Sequence, residues 1–388
     1  MTKAWKSILL GTVVSSCCLF AGCGGESPAV EAGAEDSLSY FLAAVDSIGV
    51  VDGNDEYIFG RIRGICHLAN GTIVVSDQTF RRIRQYSPSG RYLREVTGNG
   101  VGPGEFNTPY FIAPLGNEIL LSALGESKVM YFDSTLSFFK EASFVNMPMP
   151  FRPGCPVDIS AVNESLFVGR NFFLNVKEEG IEAGTELSLW NGNNLERVIR
   201  RRTAESFNPI TYQLDTRVFS CYDPQTGRLF WADRQPDDYT INCVDLASDS
   251  QWVFVQRQWE PVHRPDSVIE YERELSINAW VEGTGSPPDF EFEVELYYPS
   301  VGGLSVGPEG RLWVQKVERE QPYFEVYDTD GTFLFECETR LSDWQEYGHW
   351  MFKISRNGFL ATPNDPAVAP KVYILELQTE PVLSEAQN

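Results

Sequence analysis

Four charged residues stand at one recurring place in this sequence: Asp77, Arg170, Asp233 and Lys316. Each ends a short run that opens on an apolar triplet, as in Ile73-Val74-Val75-Ser76-Asp77 and Leu312-Trp313-Val314-Gln315-Lys316. A carboxylate at such a strand end can hold a cation, or it can cap the turn that follows by accepting from nearby backbone. A guanidinium or ammonium group there can hold an anion. Arg81, Arg82, Glu105 and Arg234 lie on neighbouring turns. If the fold brings these turns to one end, the eight side chains form a polar rim for a ligand.

Other chemistries are less well supplied. The histidines are His67, His263 and His349. His67 and His349 both sit beside predicted inner strands and are the pair that could meet as zinc ligands; His263 falls in an insertion. The letters Gly-x-Ser-x-Gly occur at Gly303-Leu304-Ser305-Val306-Gly307, but inside an expected inner strand and not at the strand-to-helix turn that a serine nucleophile needs. Gly98, Gly100, Gly102 and Gly104 resemble a phosphate loop only superficially. A dinucleotide fingerprint needs a sixth-position glycine before a helix, whereas Pro103 and Glu105 occupy those places and Phe106 to Pro109 turns into a strand. These glycines are expected to serve a tight crossing with positive φ. Cys66, Cys155, Cys221, Cys243 and Cys337 sit in apolar strand runs without Cys-x-x-Cys spacing, so they read as small buried hydrophobes. No metal or cofactor is expected. The tryptophans fit blade-to-blade packing better than carbohydrate stacking, with Trp259 and Trp280 least accounted for.

The 388 residues carry 31 basic against 54 acidic side chains, a net charge of −23. Such a chain repels phosphate backbones, which excludes nucleic acid as a partner. The first 22 residues read as a signal segment, with Lys3 and Lys6 before the apolar stretch Ile8 to Ala21. Leu19-Phe20-Ala21-Gly22-Cys23 resembles the bacterial lipobox, which implies acylation of Cys23 and a lipid anchor in the membrane. Residues 23–37 then form a flexible acidic tether, and residues 381–388 a C-terminal tail. The expected address is the cell envelope, outside the cytoplasm; in a Gram-negative cell it is the outer membrane, because Gly24 follows Cys23.

The elements that must position the charged residues come from an internal repeat. Turns at Gly71, Asn117, Glu164, Gly227, Gly310 and Gly358 each lead into an apolar triplet, at spacings of 46, 47, 63, 83 and 48 residues. A second strand follows every triplet and a third follows the first five. With the strand that precedes each triplet, the unit is four short antiparallel strands, the length of a propeller blade. The fold class is therefore all-β, a six-bladed β-propeller over residues 38–380. One long spacing implies an insertion near Asn171–Thr185. The other, about residues 260–288 between blades four and five, reads as a helix over Asp266–Trp280. Counting Phe290–Tyr298 as a strand of a seventh blade is the competing arrangement. The sixth copy lacks its outer strand, and Leu38–Val51 is expected to supply it and close the ring.

The run from Gly71 to Asp77, Arg82-Ile83, Tyr86 with Gly90, and the glycine-rich stretch from Gly98 to Phe106 with Pro109 resemble the NHL-type six-bladed β-propeller of bacterial lipoproteins. The resemblance implies a rigid ring that presents loops at its channel mouth to a protein, peptide or glycan partner. Enzymes on such propellers imply the alternative, a metal-dependent hydrolase or lyase. Their calcium-binding forms gather Glu, Asn and Asp on inner strands, a regular set that this sequence lacks. A binding role fits the residues better than catalysis.

Overall fold

In the computed structural model the described residues are 38–144, 156–177, 180–204, 216–292, 294–319, 321–341, 350–364 and 368–381. Strand β1 (Leu38–Ile48) comes first and stands apart from the repeat that follows. Blade one is β2 (Ile62–His67), β3 (Ile73–Asp77), β4 (Arg82–Tyr86) and β5 (Tyr92–Thr97). Blade two is β6 (Pro109–Leu115), β7 (Glu118–Ala123), β8 (Lys128–Phe132) and β9 (Phe138–Ser143). Blade three is β10 (Val157–Ala161), β11 (Leu166–Lys177), β12 (Gly180–Asn191) and β13 (Asn194–Thr203). Blade four is β14 (Val218–Asp223), β15 (Arg228–Asp233), β16 (Tyr239–Asp245) and β17 (Gln251–Arg257). Helix α1 (Asp266–Thr284) intervenes. Blade five is β18 (Gly303–Val306), β19 (Leu312–Lys316), β20 (Tyr323–Tyr327) and β21 (Phe333–Arg340). Blade six has β22 (Trp350–Ser355), β23 (Gly358–Pro363) and β24 (Val372–Pro381).

The second strands are buried on both faces because blades stack against each other on both sides. Ile73, Val74 and Val75 are fully buried, as are Ile119, Leu120 and Leu121. Outer strands have a wet edge and alternate: β5 runs from half-buried Tyr92 through exposed Leu93 and Arg94. Six apolar clusters hold the blades together, one at each interface of the ring. The cluster of Ile48, Ile62, Ile65, Val75, Leu360 and Val372 joins the last blade to the first.

Strand β1 closes the ring as expected, pairing antiparallel with β24 from Leu38↔Pro381 to Ile48↔Val372. It also pairs in parallel with β21, Tyr40↔Cys337 through Ala43↔Arg340. Blades five and six thus share one eight-stranded sheet, while the other four blades are separate four-stranded sheets.

One expectation needs adjusting. The residues expected to form an insertion near Asn171–Thr185 instead lengthen β11 and β12, which are 12 residues each and pair continuously to Lys177↔Gly180. The competing seventh blade does not form: among the described residues the run Phe290–Tyr298 makes an isolated bridge, His263↔Tyr297, and no blade strand. Helix α1 continues four residues beyond Trp280 and stops at Gly285, whose φ of +74° is left-handed. Trp280 packs edge-on against Phe290 and Phe292, which accounts for it within the insertion.

A cationic cavity at the centre of the ring

The expected rim residues are brought to one end of the ring, but most are committed to holding the fold. Asp77 is buried and accepts from the backbone N–H of Gly60 at 2.8 Å, Arg61 at 3.1 Å and Phe80 at 3.2 Å. Arg81, at φ +56°, donates to Asn107 Oδ1 at 3.2 Å. Arg82 pairs with Asp55 at 2.5 Å and faces Glu95 at 3.6 Å. Glu105 folds back to accept from Gly102 N–H at 3.0 Å, and a Cβ at Gly100 or Gly102 would meet its carboxylate. Of the four loop glycines only Gly104 has a positive φ, so close approach, more than backbone hand, explains the other three. Asp233 accepts from Arg200 Nε at 3.1 Å and lies 3.7 Å from Arg202. Arg234 pairs with Glu295 of the insertion.

Lys316 is fully buried. It donates to the Ser300 carbonyl, lies 3.5 Å from Glu318, and stands 3.5 Å above the Trp259 ring. Burial pulls its ammonium down to about 8. Trp259 is thereby explained: it roofs a buried cation. His67 sits at the far end of the channel with Nδ1 3.4 Å from Ser355 Oγ, and burial lowers its ring to about 4. His349 and Cys23 lie outside the described residues, as does Cys155. Cys66, Cys221, Cys243 and Cys337 are free and buried, the small apolar fillers expected; burial pushes the Cys66 thiol up to about 12.

Arg170 is the exception, since its side chain reaches the channel. A partly open cavity of about 380 Å³ lies where the inner strands begin, and all six blades line it. Blade one gives Arg63, blade two Tyr110, blade three Asp158 and Arg170, blade four Arg217 and Ser220, blade five Ser305 and Gln315, and blade six Trp350 and Lys353.

Local backbone irregularity aims several of these groups. In blade one the pairing skips from Ile62 to Gly64, leaving Arg63 bulged; in blade two it skips from Pro109 to Phe111, leaving Tyr110. In blade three it skips from Val157 to Ser160, and Asp158 takes a φ of +48°, a costly conformation for a non-glycine residue. Ser76 and Ser122, near the ends of β3 and β7, donate at 2.8 Å to the carbonyls of Tyr110 and Pro156 in the next blade, pinning the bulged segments. Sequence reading by turn position missed Arg63, Asp158, Arg217 and Lys353. Their signal is a charge inside or just before an otherwise apolar inner strand, where the only wet side is the channel.

The electrostatics oppose those of the whole chain. Among the described residues four cations, Arg63, Arg170, Arg217 and Lys353, share the cavity with one carboxylate, Asp158. Asp158 accepts from Arg170 Nε at 3.0 Å. Burial opposes the Asp158 charge, but Arg170, Lys353 and Arg217 together hold it below the usual carboxylate range. Arg63 donates to Gln78 Oε1 at 2.8 Å and stacks 4.7 Å over Tyr110. Arg217 is held down by burial and by Arg170 beside it. Its Nε and Arg170 Nη1 are buried with no hydrogen-bond partner among the described residues. At the other end of the ring Arg356 makes a two-pronged pair with Asp223 at 2.9–3.1 Å, lying against Gly310 between them, and so ties blades six, five and four.

Comparison with known proteins agrees with this architecture. The DUF5128 family, described as a 6-bladed beta-propeller, matches residues 48–160. No curated protein matches the chain. Among solved structures, a member of the DUF4221 family from Bacteroides vulgatus aligns with a TM-score of 0.51 and 10% identity, over 88% of this chain and 99% of that one. A candidate exported protein from Bacteroides fragilis aligns at 0.46 and 12%, over 89% and 96%. The calcium-binding protein regucalcin from Agrobacterium tumefaciens aligns at 0.44 and 10%, over 86% and 94%. Identities this low speak to fold alone. No helix among the described residues is long and apolar enough to cross a membrane. The chain is a six-bladed β-propeller, similar over its first two blades to the DUF5128 propellers.

Proposed function

We propose that the protein is a binding protein of the bacterial cell envelope, tethered by lipid on Cys23, that takes a small ligand into the centre of its propeller. One observation carries the reading: a cavity lined by all six blades, into which polar side chains from separate strands converge. At about 380 Å³ it lies near the small end of ligand pockets, which run from roughly 300 to 1,000 Å³. Among the described residues its lining offers one carboxylate and no histidine or thiol. That inventory suits holding a ligand better than moving protons. The surrounding turns, which carry Arg81 and Arg82, would meet any larger partner to which the ligand is attached.

The test is retention of envelope-derived small molecules by the purified full chain, read by mass spectrometry, against a Ser220→Trp variant that fills the cavity. Compounds held by the parent and lost by a folded variant support the reading; equal retention by both overturns it. For the tether, Cys23→Ser is expected to move the protein from the membrane to the soluble fraction, and continued membrane association contradicts the lipid anchor.

A further inference from the structure

We infer that the ligand of the central cavity carries an oxyanion, a carboxylate or a phosphate, held by Arg63, Arg170, Arg217 and Lys353. The inference rests on the proposed binding role and adds the chemical class. A chain of net charge −23 would be expected to line a chance cavity with acid, yet among the described residues four blades each send a cation into this one and a single carboxylate answers them.

The cations are also incompletely used. Arg170 spends Nε and Nη2 on Asp158 and keeps Nη1 buried, with no partner among the described residues. Arg217 Nε is likewise buried without an acceptor among the described residues. The half-buried Lys353 ammonium faces Asp158 electrostatically without a close ion pair among the described residues, and the cavity leaves it open to a ligand. Leaving buried donors unmade is costly, so such a set persists when something else is selected for. An oxyanion supplies the missing acceptors, and guanidinium forks suit the two or three oxygens of a carboxylate or phosphate. The bulges at Arg63 and Asp158 point the same way, since they turn charged side chains into the channel at the expense of strand pairing. Tyr110 and Trp350 add aromatic surface beside the charges, suited to the body of a compact organic anion.

Calorimetric titration of the full chain with galacturonate, glucose 6-phosphate and glucose separates the cases, because the three share a ring and differ in charge. The expected result is binding of at least one charged sugar ten-fold or more tighter than glucose, weakened at least ten-fold by Arg217→Gln and by Lys353→Gln with unchanged circular dichroism. The carboxylate and phosphate arms tell which oxyanion is meant. Glucose binding as tightly as both charged sugars, and being lost in Ser220→Trp, would overturn the oxyanion and leave the cavity reading standing. Charged-sugar binding that survives Ser220→Trp would overturn both. No heat from either charged sugar at 20 mM overturns the oxyanion assignment.

Discussion

Arg356 shows how single side chains hold the ring at the end away from the cavity. Its partner Asp223 is 2% exposed. Burial raises the Asp223 carboxyl, but hydrogen bonds from Arg356 and Thr226 outweigh it and leave the group below its usual range. A carboxylate depressed in the folded state stabilises fully above its unfolded value, about 4, and that contribution is lost as pH falls through the lower folded value. Asp223→Asn is therefore expected to cost about 3 kcal/mol near pH 7, measured by urea unfolding, with the gap to the parent narrowing below pH 4. A gap that stays constant down to pH 3 would contradict the ion-pair origin. At this scale the sequence was only partly legible. Asp77 and Asp233 could be read as strand-end carboxylates, but their partners, the Gly60 and Arg61 amides and the Arg200 guanidinium, are set by chain segments 16 to 33 residues away. Arg63 and Asp158 were invisible to a turn-based reading because a bulge, not a turn, aims them.

Strand β1 decides whether the ring is one cooperative unit. It is the fourth strand of blade six and at the same time pairs with the outer strand of blade five, so two blades lose a free edge to one segment. Leu42 lies in the doubly paired stretch, pairs with both Leu377 and Thr339, and is fully buried in the cluster of Trp313, Phe324 and Tyr373. Leu42→Ala should cost about 3 kcal/mol and lower the midpoint of a single unfolding transition; two separated transitions would mean that the ring does not unfold as a unit. The triplets and turn glycines made the blades readable, because stacked blades require continuous apolar runs in the second strand. The parallel pairing of β1 with β21 had no local signature, since it depends on how two neighbouring blades splay. The extra length of β11 and β12 read as an insertion because the spacing between triplets fixes only how many residues are added, and Asn171, Asn175 and the Glu- and Gly-rich run that follows interrupt the apolar pattern.

For the whole molecule, the governing contrast is between an acidic exterior and a cationic centre. Long-range potential follows net charge and is screened within about 8 Å at physiological salt, whereas a reagent inside the cavity is governed by the groups that line it. Ser305 lines the cavity beside these groups, and the thiols among the described residues, Cys66, Cys221, Cys243 and Cys337, are buried. The direct measurement is the labelling rate of Ser305→Cys by a sulfonate-bearing methanethiosulfonate and by its trimethylammonium counterpart, each corrected for the parent chain at 0.15 M salt. A cationic channel open to small anions predicts that the sulfonate reagent reacts several-fold faster, in spite of the net charge of −23. Faster reaction with the ammonium reagent, or no reaction with either, would contradict it.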